Sequence, residues 1–436
     1  MKSIISKPFF LCFAVAFCWL NAVQGQSEQQ PINLETALTL GGANNLTIKE
    51  FKLKQELAAA ELTKSKEWWL PDLYAGVTSH QLNGNAMNGD GNFFVDVDRQ
   101  SFWGGIGLNA TWNFGDGIFL AKAAELRSEA AFHQTAAEKN HALLDIIESY
   151  YDFLAAQLYY AAYEKLATQA DTIAQQMSLQ VQIGLRLQSD ELLAKSNYNH
   201  LRVEMLNARN DWNDAKAELT RLLNLDPYKK LIAVDNILVP LDLITGMAPP
   251  SIYDSSYQKR PEIKSQTLTL ASLNQAKRTT TSGLWLPELQ VGTYGSYFGG
   301  VFEPINPTSE VNAALMWKIP LGRLTYGGTL QKFNTQIGLQ ENEIAQTKAK
   351  INAEVMASSM QISTYKEQIE ISLEGSQMAE EALNQTLQRQ SLGMVRPLEI
   401  LQAQEMFMKS RLDYLKAVAS YNKAQYSYFV AIGNNL

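Results

Sequence analysis

The chain has little of what most sites of chemistry are built from. Its two cysteines, Cys12 and Cys18, both lie within the first 25 of 436 residues. There, Lys2 and Lys7 precede an apolar run from Pro8 to Leu20, and Val23-Gln24-Gly25 puts small residues at the cleavage-determining positions. This pattern predicts a secretory signal peptide over residues 1–25, cut after Gly25. The mature chain is then expected to carry no thiol, no disulfide framework and no cysteine metal site. Val15-Ala16-Phe17 before Cys18 is a poor context for lipid attachment, so no N-terminal lipid anchor is predicted. Beyond residue 25 no stretch approaches the roughly 20 apolar residues of a membrane-spanning helix. A mature chain of this kind could cross a membrane only with strands that close into a barrel.

Basic charge is also scarce. The net charge of −7 becomes −9 once Lys2 and Lys7 are removed, which argues against nucleic acid as a partner. Histidine occurs four times. Glu138-Lys139-Asn140-His141 has the Glu-x-x-His spacing of di-metal helical bundles, with His133 two turns away. Such bundles need a second Glu-x-x-His on another helix, and no other histidine has a Glu three residues before it. The expectation is a solvated helix face, with neither metal nor cofactor. No nucleophile elbow, phosphate loop or zinc signature appears, so no enzyme is predicted.

What is present is a repeat. Residues 183–224 return as 392–433 after a gapless shift of 209 positions: Gly184 meets Gly393, Leu192 meets Leu401, Arg202 meets Arg411, Asn213 meets Asn422. One unit built twice is implied. In each copy a stripe alternating small and large residues steps by three and four. It runs Ala194, Tyr198, Leu201, Met205, Ala208, Trp212, Ala215, Leu219, Leu222 in the first, and Ala403, Phe407, Ser410, Tyr414, Ala417, Tyr421, Ala424, Tyr428, Ala431 in the second. An average spacing of 3.5 predicts a left-handed coiled coil.

The chain divides into a first repeat at 26–225, a connector at 226–261 and a second repeat at 262–436. Leu34-Glu35-Thr36-Ala37-Leu38 opens a helical region running to about Trp69, with a break expected at Gly41-Gly42. Leu70-Pro71 and Leu286-Pro287 stop helices, since a residue before proline avoids helical geometry. After each stop the period becomes two, predicting strand pairs at 72–113 and 287–320. Within them, loops are expected at 81–92 and 299–310. Phe102, Gly104, Ile106, Leu108, Ala110 and Trp112 share a face opposite Gly105, Gly107, Asn109, Thr111 and Asn113, with Trp103 as an exception. Such strands fit either a membrane wall around a wet interior or a hairpin on a soluble core. Four strands cannot close a barrel, whereas three copies would supply twelve.

Long helical hairpins are predicted at 119–224 and 330–433. Leu330, Ile337, Ile344 and Ile351 fall seven apart, and Val355, Ile362 and Ile369 continue after a shift of four. Gly184 and Gly393 end the outgoing helices. Ser189-Asp190-Glu191 (a capping oxygen and an acidic first turn) and Pro397-Leu398-Glu399 (proline at the first position) start the returning ones. The connector, rich in Pro and Asp, is read as short elements packed as a collar.

The Leu34–Leu38 segment, the paired Leu-Pro stops, Arg260-Pro261-Glu262-Ile263, the strand exit Trp317-Lys318-Ile319-Pro320-Leu321-Gly322 and the two glycine turns together resemble the TolC-like outer-membrane efflux family. Trp112-Asn113-Phe114-Gly115 is a thinner version of the exit, and the second exit carries Leu324-Thr325-Tyr326 before Gly327-Gly328. The resemblance implies an α+β membrane protein: a homotrimer with a twelve-stranded barrel in the outer membrane of a Gram-negative bacterium and a periplasmic α-helical barrel. Its implied partners are outer-membrane lipid, a periplasmic adaptor, and an inner-membrane RND or ABC pump. Its implied task is passive conduction in tripartite efflux or type I secretion, whether of drugs, metal ions or proteins.

On that reading Gly184, Leu185, Arg186, Gly393, Met394, Val395 and Arg396 are adaptor-docking tips, with Leu185 and Met394 filling grooves, and Asp190 and Glu399 set charge at a constriction. Read as helix caps alone, the same residues have no docking role. The excess of Asp and Glu suggests a cation-favouring lumen. The alternatives are a periplasmic coiled-coil or adhesin-type protein without a pore, and an enzyme with a helical-bundle metal site.

Overall fold

The computed structural model describes residues 29–244, 257, 259–300, 304–392 and 394–436. The expected signal peptide, part of the connector, part of the 299–310 loop and Gly393 lie outside the described residues.

The elements in order are β1 (Gln29–Ile32), α1 (Leu34–Asn44), α2 (Leu46–Ser65), β2 (Asp72–Met87), β3 (Phe93–Asn113), α3 (Phe114–Gln182), α4 (Gln188–Leu222) and β4 (Lys230–Ala233). They continue with α5 (Pro261–Lys277), β5 (Glu288–Gly299), β6 (Asn306–Met316), α6 (Leu321–Tyr326), α7 (Gly328–Ser391) and α8 (Pro397–Ala431). α3, with 69 residues, spans roughly 100 Å at 1.5 Å per residue.

The break between α1 and α2 falls at Asn45 rather than Gly41-Gly42, which sit inside α1. Asn45, 4% exposed, is an N-cap whose Oδ1 accepts from Thr47 N (2.9 Å) and Ile48 N (3.1 Å). Its Nδ2 donates to Leu222 O (2.9 Å), so one side chain bends the entry helix and ties it to α4.

β2 and β3 extend through most of the 81–92 segment expected as a loop, leaving 88–92 as the turn. Gln81, Leu82 and Asn83 pair with Gln100, Arg99 and Asp98, and an irregularity between Gly84 and Ala86 absorbs the register shift. Backbone pairing is indifferent to the polarity that suggested a loop. Asn88 Oδ1 accepts from Asp90 N (3.2 Å) and Asn92 N (2.8 Å) and closes the turn. β6 likewise begins at Asn306, before the expected Val311.

α3 starts at Phe114, five residues before Phe119, because Asn113 Oδ1 caps Asp116 N at 3.0 Å. There the two halves approach closely: a Cβ on Gly115 would lie 2.3 Å from Gly283 O.

The stripes fold as the period required. Every named residue of the α4 and α8 stripes is buried or half-buried. α4 packs on α3, α8 on α7 and α3, and α2 and α5 flank the sheet-proximal length of α3. Midway along α3, Ile146, Ile147, Tyr150 and Phe153 join Ile32, Leu219, Leu223, Leu231 and Val418 in the largest buried cluster.

The described part of the connector is stitched to the helices by buried amides. β4 pairs in parallel with β1. Gln157 exchanges bonds with Ala233 N and O (2.9 and 3.1 Å). Asn422 does so with Leu241 N and Val239 O (2.8 and 2.9 Å), and Gln425 with Leu243 N and Leu241 O (2.9 and 2.8 Å). Each amide stands in for a strand partner and satisfies backbone groups on an edge that no strand covers.

At the start of α5, buried Arg260 donates to Val430 O (2.9 Å) and Glu354 Oε2 (2.8 Å), and its Nε lies 3.3 Å from Glu262 Oε2. His141 Nε2 lies 3.0 Å from Glu262 Oε1, so the expected solvated face is half-buried and partnered. Glu138 instead accepts from Gln134 (2.9 Å), so the Glu-x-x-His pair is not brought to one point.

Hydrogen bonding to Glu262 holds His141 above its ordinary value against the opposing effect of burial. Burial pushes Glu262 up, but the His141 hydrogen bond and the Arg260 charge outweigh it and hold Glu262 below the usual carboxylate value. A raised His stabilises the fold below about pH 6.5 and loses that contribution as pH rises through its folded value. A lowered Glu stabilises above about pH 4.5 and loses its contribution as pH falls. The network is therefore strongest between those limits. His141→Gln is expected to lower the thermal midpoint by about 2–4 °C more at pH 5.5 than at pH 8.5; equal losses would contradict the pairing. Gly115→Ala is expected to cost about 1–3 kcal/mol because the obstructing atom is backbone, seen as a lowered thermal midpoint of the purified protein.

Candidate functional site

Two regions remain as candidates once the core is assigned: the hairpin ends and the two faces of the sheet. α3 ends in a Schellman turn. Gly184 has φ +77°, its N–H donates to Val181 O (3.0 Å), and Leu185 N donates to Gln180 O (2.9 Å). At the end of α7, Met394 N donates to Arg389 O at 3.0 Å with the same sequence separation.

These turns leave large apolar groups in the open. Ile183, Leu185 and Leu187 are each at least 70% exposed, and Leu392 and Met394 about as much. Leu185 and Met394 thus stand where docking was expected. Arg186 is half-buried and Arg396 exposed.

Val395 does not join them. It is 1% exposed, packed with Ile173, Ala174, Met177, Ala194 and Ile400 where the two hairpins meet. An apolar residue beside a turn that abuts another hairpin lies between them. The juncture is pinned further by Asn197 Nδ2 to Gln404 Oε1 (2.8 Å) and Gln390 Nε2 to Gln176 Oε1 (3.2 Å).

The first turn of α4 also departs from expectation. Leu187 is the N-cap and no side chain caps it, so Ser189 lies inside the helix. Asp190 sits 3.9 Å from Arg186, and Glu399 sits 4.0 Å from Arg389. Both carboxylates occupy helix N-terminal turns, where the helix dipole favours a negative charge, and each has an arginine at the edge of ion-pair range.

The sheet has order β2-β3-β5-β6, all antiparallel. Its register sorts side chains cleanly, because paired residues share a face. One face carries Leu73, Val77, Phe102, Ile106, Leu108, Val291, Val311 and Leu315, alongside Ala75 and Ala110. The other carries Asp72, Thr78, His80, Asn109, Gln290, Ser296, Thr308, Glu310 and Asn312, with an aromatic row at Tyr74, Trp103 and Tyr294. In the single chain the apolar face is bare: Leu73 (72%), Val77 (70%) and Val311 (74%) are open. Trp103 was visible in the sequence only as an exception. Tyr74 and Tyr294 join it through cross-strand register, for which periodicity carries no signal.

Among the described residues no helix is long and apolar enough to cross a membrane.

Residues 40–225 match the family model for outer membrane efflux proteins. No curated protein matches the chain. Among solved structures, the chain resembles the Campylobacter jejuni CmeC outer membrane channel (TM-score 0.79, 15% identity, 92% of this chain and 85% of that one). It also resembles the outer membrane protein VceC of Vibrio cholerae (0.76, 13%, 92% and 96%) and the open state of the MtrE outer membrane channel of Neisseria gonorrhoeae (0.75, 14%, 92% and 89%). The family match covers the first half, and the shared fold runs through both. The chain therefore shares the fold of these outer membrane channels, and its residues 40–225 carry the match to the efflux-protein model.

Proposed function

We propose that this chain is the outer-membrane exit duct of a tripartite efflux or type I secretion system, receiving substrate from a periplasmic adaptor and an inner-membrane pump and conducting it passively outward. The observation that carries this reading is the sheet: four antiparallel strands, apolar on one face and polar on the other, with β2 and β6 unpaired along their outer edges among the described residues. Unpaired N–H and C=O groups are not tolerated against hydrocarbon. Four strands are also too few to close around a lumen. Three copies, β6 of each beside β2 of the next, close twelve strands with the apolar face on lipid and the polar face on water.

The helical hairpins of the three copies then continue the duct into the periplasm, held by stripes read as one unit built twice. Exposed apolar positions on α7 (Leu339, Met360, Ile371, Met378) and α4 (Leu192, Val203, Leu206) are available to neighbouring copies. The duct performs no chemistry; opening is a repacking of coiled helices.

At the hairpin ends Leu185 and Met394, with Ile183, Leu187 and Leu392 around them, form the surface offered to the adaptor. Gly184 shapes the first turn, and Arg186 and Arg396 flank the two turns. Asp190 and Glu399 supply negative charge near the narrowest part.

Light scattering on protein extracted from outer-membrane fractions, with detergent mass subtracted, is expected to return a trimer. A soluble monomer or dimer in the periplasm would remove the barrel. Leu185→Glu with Met394→Glu is expected to keep the trimer and its thermal midpoint while reducing adaptor cross-linking by about tenfold or more, as loss of two interface anchors implies. Unchanged cross-linking and efflux would dismiss the tips as a docking surface.

A further inference from the structure

The polar face of the sheet carries a feature that pore formation does not require. Tyr74 on β2, Trp103 on β3 and Tyr294 on β5 form a continuous aromatic row. Tyr294 stacks on Trp103 with centroids 3.9 Å apart and planes 11° from parallel, and on Tyr74 at 5.9 Å and 10°. In register Gly107 lies between Tyr74 and Tyr294, and a Cβ there would come 2.5 Å from Tyr74 Cζ. The strand thus gives up a side chain where the rings cross it. Phe298 pairs in register with Trp103 on the same face and is 40% exposed.

Two observations point beyond packing. Tyr294 is only 7% exposed, and its hydroxyl is buried with no hydrogen-bond partner among the described residues. Ser296 Oγ, the nearest polar neighbour of that hydroxyl on the same face, is directed to Thr308 O at 3.5 Å. A buried hydroxyl without a partner forfeits stability unless something bonds it. Second, Glu310 is the register partner of Tyr294 on β6, is exposed, and pairs with no cation among the described residues. The ends of the row, Tyr74 and Trp103, are partly exposed.

We propose that this row is a stacking site for planar aromatic cations in transit. The inference rests on the reading that the polar face lines the pore. A flat ring extends the stack, its positive charge is favoured by the ring faces and by Glu310, and a polar substituent reaches the Tyr294 hydroxyl. Such a site is weak by design, since a conduit must also release what it holds.

The test is single-channel recording of the purified full-length protein in a planar bilayer, with ethidium as the planar aromatic cation and tetraethylammonium as a non-aromatic one. Ethidium is expected to interrupt the potassium current at concentrations where tetraethylammonium does not. Trp103→Ala is expected to raise its half-blocking concentration roughly tenfold, with Trp103→Phe retaining most of the block. Tyr294→Phe should raise it a few-fold at unchanged open conductance, as loss of one hydrogen bond implies. Trp103→Leu, which keeps bulk without a ring, carries the same expectation as the alanine variant if that variant does not assemble. Equal block in wild type and the ring-less variants, or equal block by both cations, would overturn the site. Pores that conduct normally but ignore ethidium would remove the site and leave the duct standing. A wild-type protein that forms no pores would remove both.

Discussion

An unclosed sheet is the constraint on which the rest depends. Among the described residues the outer edges of β2 and β6 have no strand partner, and one face between them is apolar where a soluble sheet would be covered. Water could satisfy the edges but not the face, and lipid the face but not the edges. The ring of strands proposed above, completed by other copies, is an arrangement that meets both demands. In that proposed ring each chain has to enter and leave the sheet at a defined angle. Asn113 and the close approach of Gly115 to Gly283 set that angle where β3 becomes α3.

A helix roughly 100 Å long is held by its partners rather than by its own propensity. α3 and α4 meet along the small-large stripe, as do α7 and α8. The two hairpins are then tied at separate levels by different chemistry. Near the turns the tie is apolar, through Val395, Met177 and Ile400. Midway it is a large core crossed by the connector, whose backbone is satisfied by Gln157, Asn422 and Gln425. Toward the sheet, Arg260 joins Glu262 on its own helix to Glu354 on α7 and Val430 on α8. Breaking a buried pair of this kind leaves an uncompensated charge, a heavier loss than the pair's own net gain. The rigid, apolar-tipped ends are thus carried by a shaft fixed at several heights.

Periodicity read the architecture well because it reports what a side chain must face. The stripe from Ala194 to Leu222 is buried or half-buried throughout. It failed where backbone or distant partners decide. Residues 81–87 looked like a loop from their polarity, yet they pair because strand bonds use the backbone and polar side chains suit a wet face. Val395 looked like a tip residue from its place beside a turn, and it is buried by a hairpin some two hundred residues away in sequence. His141 looked solvated, and its partner Glu262 lies in the other half of the chain. Leu185 and Met394 are open, as expected, because an apolar residue at a helix-ending turn has little of its own hairpin to cover it.

The sequence alone determined the long helices, their turns and the alternating strands, since each follows from residue types within a few positions of one another. Only the tertiary structure decided the pairing of β3 with β5, the two faces of the resulting sheet, the aromatic row across Gly107 and the Arg260 network. Those depend on register between segments some two hundred residues apart, and register is set by which edges and stripes meet in space.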